Sequence, residues 1–337
     1  MTSLPTLFVH VGPSHHGVTR YGTVLADAAR RTTAIQSIWL QSPSWLDRLA
    51  AAVAIARPAA VHLQFTDGIY GCDPRKAAES WRAILEVARP AMTSVTLHDV
   101  PDVDADTAPQ LERQSAYRHV AESADVVVVC SHHEAQRVTA IANAHATVIP
   151  HFVETRACDR PARTYGVGVL GFLYPGKGHA AVVAACGRMP DPAEVVAIGG
   201  PSPCHQALAD ELVALARDLA VPLRITGWVD DDALGARMAR IAVPVVANTH
   251  SSASGSLATW IGSHRRPLVG AGPYADEVTE LAPGCLTPYA LGDPDALGNA
   301  IHAARRDPDG TWQDAVPDHL HPDWIAARHI GLFESVT

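Results

Sequence analysis

Short apolar runs alternate with longer Ala-rich amphipathic stretches along almost the whole chain, the hydrophobic pattern of parallel strands covered by helices on both faces. In the first half the runs predict strands at 6–11, 35–40, 60–64, 93–96, 126–130 and 146–149. Helices fall between them, for example at 18–31 and 75–88. The series stops at Pro150, and 151–164 carries charges, Pro161 and no periodicity, so it reads as a linker. A second series then repeats the design. Strands are predicted at 167–170, 194–198, 223–226, 243–246, 267–269 and 285–287, with helices at 179–187, 206–219, 232–240, 255–263 and 293–306. The expected fold is α/β, with two Rossmann-like doubly wound domains, 1–150 and 165–319, facing a central cleft at the carboxyl ends of their sheets.

The loop that closes the first strand of the second series holds the strongest chemical signal. Gly166-Val167-Gly168-Val169-Leu170-Gly171-Phe172-Leu173-Tyr174-Pro175-Gly176-Lys177-Gly178 ends an apolar strand in a glycine-rich turn around one of the chain's 2 lysines. Such a turn lets backbone N–H groups and an ammonium approach a phosphate. Gly166, Gly168 and Gly171 match a dinucleotide fingerprint, but Val167, Val169 and Leu170 lie among them as strand residues, where the fingerprint needs a turn. Gly171, Gly176 and Lys177 match most of a nucleoside-triphosphate loop, but Gly178 stands where the magnesium-binding hydroxyl belongs. Taken alone, the motif reads equally as a tight turn with an exposed lysine or as a phosphate site.

A second feature is Ser251-Ser252-Ala253-Ser254-Gly255-Ser256-Leu257, which opens an apolar helix. Its hydroxyls suit N-capping, and the first-turn amides suit an anion. His98 ends an apolar strand before Asp99 and Pro101, either as a site histidine or as one tied to a backbone carbonyl. His15, His16 and Gly17 follow the first strand in a loop that begins at Gly12. Arg265 and Arg266 lie at the far end of the Ser-capped helix, where the helix dipole favours cations and where they could also substitute for a site cation.

Composition narrows the alternatives. With 47% hydrophobic and 18% charged residues, a net charge of −9 and no basic stripe, the chain offers nothing to nucleic acid or to an anionic membrane. No apolar stretch approaches spanning length and the start lacks a signal-peptide pattern, so a cytoplasmic protein is expected. Cys72, Cys130, Cys158, Cys186, Cys204 and Cys285 lack metal or redox spacing and read as reduced thiols. The pairs His15-His16 and His132-His133 are adjacent and so point apart, and no metal site is expected. Oligomeric state is left open.

In order and spacing these motifs resemble the GT-B glycosyltransferases, within them the retaining family 4 that includes sucrose and mannosyl transferases. The resemblance rests on Gly12–Gly17 after the first strand, Thr96-Leu97-His98-Asp99, 126–131 with its closing Ser131, Val148-Ile149-Pro150 and Gly171–Gly178. It continues through Ile198-Gly199-Gly200, Gly227-Trp228-Val229, Pro267-Leu268-Val269 and the helix at 324–332. It implies that the last segment, 320–337, completes the first domain. It also implies a metal-independent hexosyltransferase without a cofactor, taking a nucleotide-diphosphate sugar as co-substrate and a small polar acceptor. Retention would proceed with the donor phosphate accepting the acceptor's proton. The implied donor contacts are Gly12, Gly171, Phe172, Gly176, Lys177, Ser252, Ser254, Gly255, Ser256 and Leu257. His98 and Lys177 take the catalytic positions, and His15, His16 and Gly17 the acceptor side. The chain departs from the family where two glutamates and a loop arginine are usual, with Ser252, Trp260 and Phe172 at those positions. A catalytically altered relative that binds sugar or nucleotide without turnover would suit these replacements.

Overall fold

Among the described residues, twelve parallel strands in two sheets and the helices between them organise the chain. The computed structural model describes residues 5–40, 45–70, 73–104, 106–161, 164–202, 205–249 and 253–336. The first sheet contains β1 (Thr6–Val11), β2 (Ile35–Leu40), β3 (Ala60–Phe65), β4 (Met92–Leu97), β5 (Val126–Val129) and β6 (Ala146–Val148), in the order β2-β1-β3-β4-β5-β6. The second contains β7 (Tyr165–Leu170), β8 (Val195–Ile198), β9 (Leu223–Ile225), β10 (Ile241–Val246), β11 (Leu268–Gly270) and β12 (Thr287–Tyr289), in the order β12-β11-β10-β7-β8-β9. The first order is the flavodoxin type and the second the dinucleotide-fold type. Each reverses direction once, between β1 and β3 and between β7 and β10, and sheets of this kind bind ligands at the carboxyl ends of the strands flanking that reversal.

The helices are α1 (Gly17–Ala29), α2 (Trp45–Ala56), α3 (Pro74–Ala88), α4 (Ala108–Ser123), α5 (His132–Ile141), α6 (His179–Gly187), α7 (Leu208–Asp218), α8 (Asp231–Ala239), α9 (Gly255–Gly262), α10 (Pro273–Leu281), α11 (Pro294–Arg306) and α12 (Pro322–Val336). Their starts follow local chemistry. Asp73 accepts from the amides of Arg75 and Lys76 and Asp293 from those of Asp295 and Ala296, in each case just ahead of a proline at the first helical position.

By internal contacts the chain divides into two units, one made of Met1–Phe152 with Asp318–Thr337 and the other of Val153–Pro317. The core of the first packs Val61, Leu63, Phe65, Trp81, Val95 and Tyr117 between sheet and helices, and α12 lies along α1, burying Ile325, His329 and Phe333. The core of the second is built on the alternating valines of β7 and β10. Gly168 belongs to that packing, since a Cβ there would lie 2.7 Å from Ile241 Cγ2.

One strand is displaced from the hydrophobic pattern, and another includes a proline. The last strand starts at Thr287, because Cys285 and Leu286 are buried ahead of the ladder, which pairs Leu268 with Thr287 and Gly270 with Tyr289. The central strand β10 contains Pro244, a residue usually confined to sheet edges. It is accommodated where pairing to β11 has not begun, since that ladder opens at Val245.

Candidate functional site

In the second unit, the loops after β7 and β10 meet at the sheet's reversal point. Thr249 N–H donates to Gly176 O (2.9 Å), tying the two loops together. Lys177 sits in a turn closed by its own amide on Tyr174 O (3.1 Å), between Gly176 and Gly178, whose φ values of 87° and 88° lie in the left-handed region. The lysine stem passes over Gly171, where a Cβ would lie 3.2 Å from Lys177 Cε. The residue is only 5% exposed, and its ammonium donates to Ser256 Oγ (2.7 Å) and lies 5.9 Å from the centre of the Tyr174 ring. The exposed-lysine alternative therefore does not hold.

Ser256 stands in the first turn of α9. Ser254 is the cap: its Oγ accepts from Leu257 N–H (3.2 Å) and lies 3.2 Å from Ser256 Oγ, while its own N–H donates to Tyr274 Oη (3.1 Å). An ammonium, two hydroxyls and a helix start thus converge, and both the full charge and the dipole favour an anion. Gly255 opens the helix, Leu257 lends its amide to the cap and buries its side chain, and Ser252 lies outside the described residues.

Gly178 is held by contact as well as by φ, since a Cβ there would lie 2.1 Å from Ala247 O. Gly178→Ala is expected to cost at least about 2 kcal/mol of stability and to displace the lysine turn, measured as a fall in melting temperature together with weaker anion binding. A variant of unchanged melting temperature would show that the turn relaxes freely.

Around this point the strand ends are lined with glycine. A Cβ on Gly199 (φ 145°) would lie 2.2 Å from Gly171 O. Phe172, in the position of the family's arginine, lies 6.3 Å ring to ring from Trp228, which is 56% exposed. Trp260, at one usual glutamate position, is buried in α9. Arg265 is fully buried and donates to Met238 O (2.8 Å), Thr311 O (3.2 Å) and Thr311 Oγ1 (2.9 Å), so it fastens the core of this unit. His179, the first residue of α6, is pushed down to about 3 by burial first and then by Lys177.

In the first unit the loop after β1 turns at Gly12 (φ 87°), whose carbonyl accepts from Trp39 Nε1 (2.9 Å). His15 is exposed. His16 and Gly17 correct the loop expectation: His16 is the N-cap of α1, its Nδ1 accepting from Val18 N–H (3.3 Å), and Gly17 is the first helical residue. A ring nitrogen here takes the place of the usual Ser or Asp oxygen. Burial, its largest cause, lowers the His16 pKa and keeps that nitrogen available as an acceptor.

His98 lies at the end of β4 and is buried at 5% exposure. Its Nε2 is 2.7 Å from Gln64 Oε1, the Tyr21 ring stands edge-on at 5.0 Å, and its backbone carbonyl accepts from Tyr117 Oη (2.6 Å). Burial first, then the neighbouring His151, pushes its pKa to about 3, so the ring is neutral at ordinary pH. Next to it Asp99 adopts a left-handed φ of 54°, accepts from Thr66 Oγ1 (3.2 Å), and has its carboxyl pKa raised, chiefly by burial. Arg113 bonds Asp67 through two nitrogens (2.8 and 3.0 Å) and donates to Asp99 O (3.0 Å).

Sequence reasoning missed Gln64, Tyr174 and the Asp67–Arg113 pair. Gln64 had a legible signal: His62 and Gln64 share one face of an otherwise apolar, fully buried strand, where unpartnered polar groups would be costly. Cys130, Cys186 and Cys285 are buried free thiols and Cys158 is half-buried, while Cys72 and Cys204 lie outside the described residues. No group of His, Cys, Asp and Glu suited to a metal occurs among the described residues, and no described helix is long and apolar enough to cross a membrane.

No protein-family model matches the chain, and no curated protein matches its sequence. Its fold is similar to that of sucrose-phosphate synthase from Thermosynechococcus elongatus, at 16% identity, 98% of each chain covered and a TM-score of 0.75. It is also similar to Anabaena HepE in complex with UDP-glucose, at 15% identity, 98% of this chain and 99% of that one covered and a TM-score of 0.71. A third similar structure is the apo form of the lipopolysaccharide outer core galactosyltransferase WaaB, at 11% identity, 98% and 99% covered and a TM-score of 0.61. Two six-stranded parallel sheets surrounded by helices, alike over nearly the full length of these enzymes, are the GT-B fold.

Proposed function

We propose that the protein is a glycosyltransferase that takes a nucleotide-diphosphate sugar and passes the sugar, with retention and without a metal, to a small polar acceptor. The observation that carries this reading is the buried Lys177, whose ammonium is bonded to Ser256 Oγ at the capped start of α9. Sugar transfer leaves a diphosphate on which charge develops. A fixed ammonium and a helix start stabilise that charge without reorganising, which is the most effective kind of electrostatic help. The structural neighbour HepE binds UDP-glucose, which supports a donor of this class. In the first unit the neutral His98 is assigned to the transferred sugar, and the segment Gly12–Gly17 to the acceptor. The donor phosphate takes the acceptor's proton, so the missing glutamates remove no required base.

Calorimetric titration with UDP, GDP and ADP, each against its nucleoside, tests the donor site. One diphosphate is expected to bind far more tightly than its nucleoside, and to do so equally in EDTA. Slow hydrolysis of the matching sugar nucleotide without acceptor is then expected. Failure of all three diphosphates to bind would end the reading; binding without hydrolysis or transfer would make the protein a non-catalytic binder.

A further inference from the structure

Four buried polar groups of the first unit form a chain that fixes where protons sit. His98 Nε2 lies 2.7 Å from Gln64 Oε1, and because a carbonyl oxygen only accepts, that ring nitrogen carries the proton. Gln64 Nε2 lies 2.8 Å from His62 Nε2 and can only donate, so the latter nitrogen carries a lone pair. The proton of His62 is therefore on Nδ1, 3.0 Å from Ser94 Oγ, its direct cross-strand partner in the β3–β4 register. All four side chains are buried. Burial also holds both rings neutral, His98 at about 3 and His62 well below its ordinary value.

The surroundings are shaped to the amide. A Cβ on Gly22 of α1 would lie 2.8 Å from Gln64 Cγ and 3.2 Å from His10 Nδ1, so a glycine makes room for it. Beyond His62, the rings of His329 and Phe333 stand 5.5 and 5.1 Å away and close the far end.

We propose that Gln64 is a positioning residue that locks His98 as its Nε2–H tautomer, leaving Nδ1 as the ring's acceptor for a hydroxyl of the transferred sugar. The sugar contact rests on the transferase reading above; the lock does not.

Long-range nitrogen–proton spectra of the ligand-free, nitrogen-15-labelled protein test it, with the His98 signals identified by their loss in His98→Asn. Native His98 is expected to show a protonated Nε2 and a bare Nδ1. Gln64→Met removes both bonds at similar length and should give mixed His98 tautomers, with kcat down about tenfold and the donor KM little changed, the scale of one lost hydrogen bond. Gln64→Glu keeps an acceptor for His98 but offers no donor to His62. His98 should then keep its tautomer and most of the turnover, while His62 moves its proton to Nε2. A native His98 protonated on Nδ1, or an unchanged His98 tautomer in Gln64→Met, overturns the assignment. A native protein that shows the lock but turns over no sugar nucleotide would sink the transferase reading and leave the lock standing.

Discussion

Lys177→Met is expected to weaken binding of the matching nucleoside diphosphate by about 10- to 100-fold, the scale of a charge-assisted hydrogen bond, while leaving binding of the nucleoside unchanged. Methionine keeps an unbranched stem over Gly171, so packing is little disturbed, and removes the ammonium together with its bond to Ser256 Oγ. The lysine needs no movement to act, because its turn is fixed by two left-handed glycines and its ammonium already points at the first turn of α9. A ligand oxygen arriving at Ser256 meets a cation whose ordering has been completed on folding, and preorganisation of that kind lowers the entropic cost of binding. Parallel titrations of diphosphate and nucleoside check the expectation. Equal losses for the two ligands would move Lys177 from the diphosphate to a structural role.

The second large effect is with pH. His10 and His151 are pushed down to about 4 and His98 and His329 to about 3, with burial the largest cause for each, and His62 lies well below the ordinary value. All five belong to the first unit. Below about pH 6.5 the unfolded chain takes up protons that the folded unit refuses, so stability is complete above that pH and falls as pH drops toward 4. At pH 5 each of His10, His151, His98 and His329 costs roughly 2 kcal/mol, the four together roughly 8 kcal/mol, and His62 acts in the same direction, which is comparable with the whole stability of a domain. In the second unit, among the described residues, the corresponding group is His179. Hydrogen exchange between pH 7 and 4 should therefore show protection vanishing across Met1–Phe152 and Asp318–Thr337 while much of Val153–Pro317 is retained. Persistent protection of β1, β3 and β4 at pH 4 would overturn this expectation.

The hydrophobic pattern located β1 to β11, because a parallel strand buried on both faces is an unbroken apolar run, as in Val126–Val129. It misplaced β12, where two buried residues precede a short edge strand containing Pro288, since burial and ladder pairing coincide poorly at an edge. Capping was legible in Ser254, because hydroxyls ahead of an apolar helix have few other uses, but not in His16, whose ring seldom takes that position. The meeting of Lys177 with Ser256, 79 positions along the chain, depends on strand order, which periodicity does not encode. The partnership of His98 with Gln64 was hidden for the same reason: β3 and β4 must be neighbours before the amide and the ring can pair.

The first unit draws on two stretches of chain, with α12 supplying Ile325, His329 and Phe333 to its interior. On the ribosome the first unit cannot close its interior, its flank against α1 and β3 staying bare, until Asp318–Thr337 has been made, although Met1–Phe152 is synthesised ahead of the whole second unit. The part made first is thus completed by the part made last, and a nascent chain stalled before residue 318 is expected to be a species in need of a chaperone.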